Sequence, residues 1–214
     1  MTLRTIALFL VATTLPMFAQ SEPPTANLSC WANPTTFRSA KARSETFHSE
    51  KAGDAYAETS ATATTAPDNV QICSNTVRLF YASDTKDYKV VVQDHRTSSG
   101  LGIAILGWSK AGTELLFQIN GWPYERDAYV ERRAFLFESS SQRIRPVPVV
   151  VAFRKLFGSN CEFDERVLGW HGENALVVRI SKTPLNESYD QKFCEEKPTD
   201  YVFDLKTYGI SKVQ

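Results

Sequence analysis

Short apolar runs rich in β-branched and aromatic residues mark the chain from residue 77 onward. Residues 77–81 (Val-Arg-Leu-Phe-Tyr), 88–92 (Tyr-Lys-Val-Val-Val) and 103–106 (Ile-Ala-Ile-Leu) open the series, and 115–119, 134–137, 175–178 and 201–203 continue it. Such residues suit a pleated, half-buried surface, where branched side chains pack well against their neighbours. Turn-forming residues separate the runs, as at Ser83-Asp84 and Ser98-Ser99-Gly100. Short strands at this spacing predict a mainly β fold of antiparallel meanders. Residues 149–157 read differently. Pro148 stands at their start, Arg154 and Lys155 in the last turn, and Gly158 just past the end. These signals predict one short helix, against the strand preference of three consecutive valines.

Ahead of the β region the pattern changes twice. Residues 1–19 hold Arg4, an apolar stretch over 6–15, Pro16 and the small Ala19, the order of a cleavable signal peptide. The apolar stretch is too short to span a bilayer, which takes about 20 residues. Residues 20–69 are polar with scattered aromatics, and 55–66 are nearly all alanine, threonine and serine. That composition predicts a weakly ordered N-terminal segment with a flexible loop, followed by a β domain over 70–214.

The most informative feature is a repeat. Leu106-Gly107-Trp108 returns 62 residues later as Leu168-Gly169-Trp170. A polar turn and an apolar run follow each tryptophan: Glu114 to Gln118 in the first copy, Asn174 to Val178 in the second. After an irregular excursion, a second run ends in an acid, Glu138 or Asp204. An isoleucine then stands seven residues past an aromatic, Ile144 after Phe137 and Ile210 after Phe203. Each unit therefore reads as a four-stranded meander. Residues 107–117 (Gly-Trp-Ser-Lys-Ala-Gly-Thr-Glu-Leu-Leu-Phe) carry a resemblance to the blades of WD40-like β-propellers in TolB-type periplasmic proteins. Lys110 and Ala111 replace that repeat's proline and aspartate, and the second copy keeps the tryptophan and the apolar run. The resemblance covers about residues 103–213. It implies blade-like sheets, with residues 77–93 as a degenerate third unit. Two clear units cannot close a propeller, which takes about four or more blades. The expectation is an incomplete propeller-like arrangement or two small sheets packed together.

Composition narrows the function classes. The 214 residues carry 24 basic and 24 acidic side chains, and loss of the signal removes one base. Such a balance argues against a nucleic-acid partner. Cys30, Cys73, Cys161 and Cys194 form an even set in an exported chain and predict two disulfides. Three pairings exist; nearest neighbours in sequence give Cys30–Cys73 and Cys161–Cys194. No Cys-x-x-Cys or histidine spacing suggests a metal site, and no phosphate-binding or dinucleotide motif suggests a cofactor.

Candidate chemistry is sparse. Asp94-His95 lies near Ser98 and Ser99, but no nucleophile elbow accompanies them. Glu125, Asp127 and Glu131 interleave with Arg126, Arg132 and Arg133, a pattern that reads as a solvated face. The excursion holding Trp122, Tyr124 and Arg126 is the candidate binding patch, since these types anchor interfaces. Trp122 folded back on the sheet is the competing reading. The expectation is an exported, periplasmic or extracellular, non-enzymatic binding or scaffold protein with a protein or glycan partner and no membrane span after cleavage. An inhibitor that plugs an exported hydrolase with this loop, and a small secreted hydrolase, are the alternatives.

Overall fold

The computed structural model describes residues 39–67, 71–83, 87–97, 99–123, 130–182 and 192–213. These fold into three antiparallel sheets and one helix. The first sheet contains β1 (Ser39–Arg43), β2 (Phe47–Ser49), β3 (Gly53–Thr65), β4 (Gln71–Ala82) and β5 (Lys89–Thr97). Its order is β1-β3-β4-β5, with β2 paired to the start of β3. The second sheet is the meander β6 (Ser99–Trp108), β7 (Glu114–Pro123), β8 (Glu131–Glu138) and β9 (Arg143–Pro146). The third is the meander β10 (Asp164–His171), β11 (Ala175–Ser181), β12 (Thr199–Asp204) and β13 (Ile210–Lys212). Helix α1 (Val149–Phe157) joins the second sheet to the third.

The mainly β class, the two meanders and the helix agree with the sequence pattern. The alanine- and threonine-rich stretch does not behave as a loop. It is β3, the longest strand of the molecule among the described residues. Ala55, Ala57, Thr59 and Ala61 alternate onto the buried face, beside Val77, Leu79 and Tyr81 of β4. Small side chains suffice in β3 because β4 and the second sheet supply the apolar bulk. There are thus three packed sheets rather than two, and the third unit expected over 77–93 (β4 and β5) is completed by residues 39–65.

The second sheet lies in the middle of the stack and is buried on both faces. Leu115, Phe117 and Ile119 pack with the first sheet, while Leu116, Ala134 and Leu136 pack with the third. This doubly buried setting explains the unbroken apolar run of β7, since alternation is lost when both faces are dry. Phe153 and Phe157 of α1 stack near Phe163 and Tyr201 of the third sheet, closing that core. Phe153 is fully buried, which for such a ring is worth about 1.5–3 kcal/mol. Pro148 is the N-cap of α1, one place before the first helical position expected for it. Gly158, at φ 77, ends the helix by donating its N–H to the Arg154 carbonyl.

The repeat is structural in detail. Both Leu-Gly-Trp segments form a β-bulge, with Leu106 and Leu168 as the extra residue. Gly107 (φ 111) and Gly169 (φ 150) take conformations that side chains resist. Trp108 donates its indole N–H to the Phe47 carbonyl at 3.1 Å, and Trp170 donates to the Gly107 carbonyl at 2.9 Å. Each tryptophan therefore pins its sheet to the preceding one. Phe137 pairs with Ile144, and Phe203 pairs with Ile210, as the sequence spacing implies. Glu138 accepts from the Ser140 and Ser141 hydroxyls, and Asp204 accepts from the backbone and hydroxyl of Thr207. These donors hold both carboxyls below the usual carboxylate range. One pairing differs from the sequence alignment: Trp108 faces Leu115, whereas Trp170 faces Leu176, so the second hairpin is one residue shorter.

Cys161 and Cys194 form a disulfide that ties the α1–β10 connection to the excursion before β12. Cys73 is buried and disulfide-bonded; its expected partner, Cys30, lies outside the described residues, as does the signal-like segment 1–19. No described helix is long and apolar enough to cross a membrane.

Candidate functional site

A cleft lies where β7, β8, α1 and β10 meet, between the second and third sheets. Alternation builds it. On β7, Leu116, Gln118 and Asn120 share the face toward the third sheet, and the two amides replace apolar side chains as the strand nears the cleft. Phe163, just before β10, and Glu165 and Val167 within it follow one another at period two, so the acid joins a buried apolar row. The end of β9 and the two residues before α1 contribute Pro146, Val147 and Pro148, and the two prolines stiffen the third wall. The cavity measures about 390 Å³, within the range of small-molecule sites.

Its polar groups are few and mostly committed. Gln118 is buried and donates through Nε2 to Asn120 Oδ1 at 2.6 Å. Arg132 forms a short ion pair with Asp164. Burial raises the Asp164 carboxyl, and Arg132 opposes the rise. Arg133 pairs with Asp94 at 2.7 Å. Glu131 stands 3.5 Å from Arg133 Nε, a charge contact that leaves this buried nitrogen without a hydrogen bond. Arg154 pairs with Glu162 at 2.7 Å and also donates to the Cys161 carbonyl.

Glu165 is the exception. It lines this cavity and the smaller one beside it, of about 180 Å³. Among the described residues no side chain hydrogen-bonds or ion-pairs with its carboxyl; its own backbone N–H is the group that meets it. Desolvation, reinforced by the Asp164 charge, pushes the carboxyl up to about 7. A group so placed changes charge at neutral pH and can hold or release a proton toward an occupant of the cleft. No group of three or more His, Cys, Asp or Glu residues suited to a metal occurs among the described residues.

Of the residues singled out from sequence, Arg132 and Arg133 border the cleft, while Trp122, Asp94 and the histidines are not among its lining. Trp122, next to last in β7, pairs with Gly100 of β6, and its indole lies over that glycine, where a Cβ would come within 1.9 Å. It is half-buried and folded onto the sheet. Tyr124, Arg126, Glu125 and Asp127 lie outside the described residues. Asp94 accepts from the His95 backbone and from Arg133, while the His95 ring hydrogen-bonds Thr76 at 2.9 Å. No Asp-His relay is formed. His48 pairs with Asp54 across the β2–β3 hairpin, and His171 is exposed at the end of β10, opposite Ala175. Arg132, read as part of a solvated face, is instead tied to Asp164 at the cleft, because β8 begins at Glu131, ahead of the apolar run over 134–137.

Sequence reasoning passed over Glu165. The available signal was its place in Phe163-x-Glu165-x-Val167, a single acid on an apolar period-two row. In comparison with known proteins, the chain matches no family model, no curated protein and no solved structure.

Proposed function

We propose that the protein is an exported, non-enzymatic binding protein that holds its ligand in the cleft between the second and third sheets. The observation that carries this reading is the cleft itself: an apolar wall, the buried Gln118 amide and a carboxyl that no side chain pairs with among the described residues. Such a mixture suits recognition, in which apolar burial supplies affinity and a few polar groups supply orientation. The Cys161–Cys194 disulfide and the signal-like segment 1–19 support export. The matched bulges, tryptophan pins and turns support reading the second and third sheets as duplicated blade-like units. Catalysis has less support. Glu165 has the acidity of a general base, but the neighbouring carboxylates are committed to Arg132 and Arg154.

The test is a ligand-observed NMR screen of small apolar fragments against the wild type and Val150→Trp. Val150 is 42% exposed and borders both cavities, so a larger ring there narrows the mouth without entering the core. Fragments should bind the wild type and lose binding to the variant at unchanged melting temperature. Equal binding to both, or none to the wild type, refutes the cleft as the site. Export is checked by the mass of the protein in the exported fraction, where the chain should begin near Gln20.

A further inference from the structure

Charge pairing in the cleft narrows the ligand. Three arginines border the two cavities, and each has a carboxylate of its own: Arg132 with Asp164, Arg133 with Asp94, and Arg154 with Glu162. With those pairs closed, Glu165 is the acid left over. It projects into a space walled by Val147, Val149, Val150 and Val167. A buried carboxylate is tolerated when an opposite charge and hydrogen-bond donors reach it. Among the described residues the Glu165 backbone N–H is the one donor, and Arg132 and Arg154 act on the carboxyl without pairing with it, each being held by another acid. We infer that the cleft selects a ligand carrying a primary ammonium group on an apolar body, with Glu165 as the partner of the ammonium. This rests on the cleft being the binding site and specifies what it holds. An ammonium offers three donors and one positive charge, so it satisfies the carboxylate, while the hydrocarbon takes the valine wall.

The acidity of Glu165 supports the assignment. The charged groups around it are Asp164 and Arg166 on its own strand, Arg132 and Arg133 on β8, Arg154 on α1 and Glu162 before β10. The carboxyl ionises near neutrality, and a bound cation draws it toward the charged form. Binding therefore releases a proton below pH 7 and strengthens as the pH rises. An alkylammonium keeps its charge throughout that interval, as a lysine side chain does.

The experiment titrates n-hexylammonium, n-hexanol and hexanoate into the full-length protein at pH 5.5 and pH 8, at constant ionic strength, by chemical-shift perturbation. n-Hexylammonium should bind about tenfold more tightly than n-hexanol at pH 8, the scale of a hydrogen bond to a charged group. The preference should shrink to about twofold at pH 5.5, where Glu165 is protonated. Glu165→Gln, with its fold checked by circular dichroism, should make the two equal at both values. Equal affinities in the wild type, or a preference for hexanoate, overturn the ammonium assignment and leave the cleft as a binding site. Failure of all three probes to perturb the cleft overturns the binding reading itself.

Discussion

Replacing Glu165 by glutamine isolates the cost of holding a carboxyl in the cleft. Its ordinary value is 4.5 and in the fold it is pushed up to about 7. Folding therefore favours the protonated form. Below pH 4.5 both folded and unfolded chains keep the proton, and there is no cost. Between 4.5 and 7 the unfolded chain gives up its proton first, so stability falls as the pH rises; above 7 the loss is complete. At about 1.4 kcal/mol for each tenfold change in proton affinity, the full loss is on the order of 3 kcal/mol. The cleft is open to water, and screening reduces this to about 1–2 kcal/mol. Glutamine cannot ionise. Glu165→Gln should therefore match the wild type at pH 4.5 and exceed it by about 1–2 kcal/mol at pH 8. Urea unfolding at the two pH values, with unchanged slope, reads the difference. Other titrating groups largely cancel between the two proteins. An offset that is the same at both pH values would mean that Glu165 is ordinary in the fold, and the reasoning from desolvation would fail.

The repeat and the disulfide give independent checks. Trp170→Phe removes the N–H that satisfies the Gly107 carbonyl and should cost about 1–2 kcal/mol in chemical unfolding. Because Gly107 adjoins Trp108, the double variant with Trp108→Phe should be non-additive by at least about 0.5 kcal/mol; strict additivity would mean that the two pins are independent. Cys161→Ser with Cys194→Ser opens a cross-link spanning 33 residues. The chain-entropy scale puts the loss at about 3–4 kcal/mol, measured by guanidinium unfolding without reductant. Gly100→Ala sets a methyl group against the Trp122 indole and should cost about 1–3 kcal/mol while altering the near-ultraviolet circular dichroism. No change in either signal would place Trp122 off the sheet.

The second and third sheets were legible because their determinants are local. A bulge that needs glycine, a tryptophan beside it and an acid before the closing turn all leave marks at fixed spacing. Their repetition gave the meanders and the pairing of Phe137 with Ile144 and Phe203 with Ile210. In the first sheet β4 and β5 were legible, but β3 was not, because its determinants lie outside its own segment. Alanine and threonine in β3 carry little apolar area, and only Leu79, Tyr81 and the second sheet against them make that face part of a core. Compositional rules judge a segment by what it can bury alone, and so they assigned a loop. The cleft was hidden for a related reason. Glu165 gains its character from desolvation by β8 and α1, elements separated from it in sequence. Trp122, by contrast, drew attention as an interface type, yet its partner Gly100 offers the bare backbone on which an indole settles.

The most direct test of the cleft as a cation-selective binding site is a crystal structure of the protein grown with n-hexylammonium at pH 8. The account predicts the alkyl chain against Val147, Val149 and Val167, with the nitrogen within hydrogen-bond distance of the Glu165 carboxyl. An empty cleft, or the amine bound with its nitrogen turned away from Glu165, would contradict it.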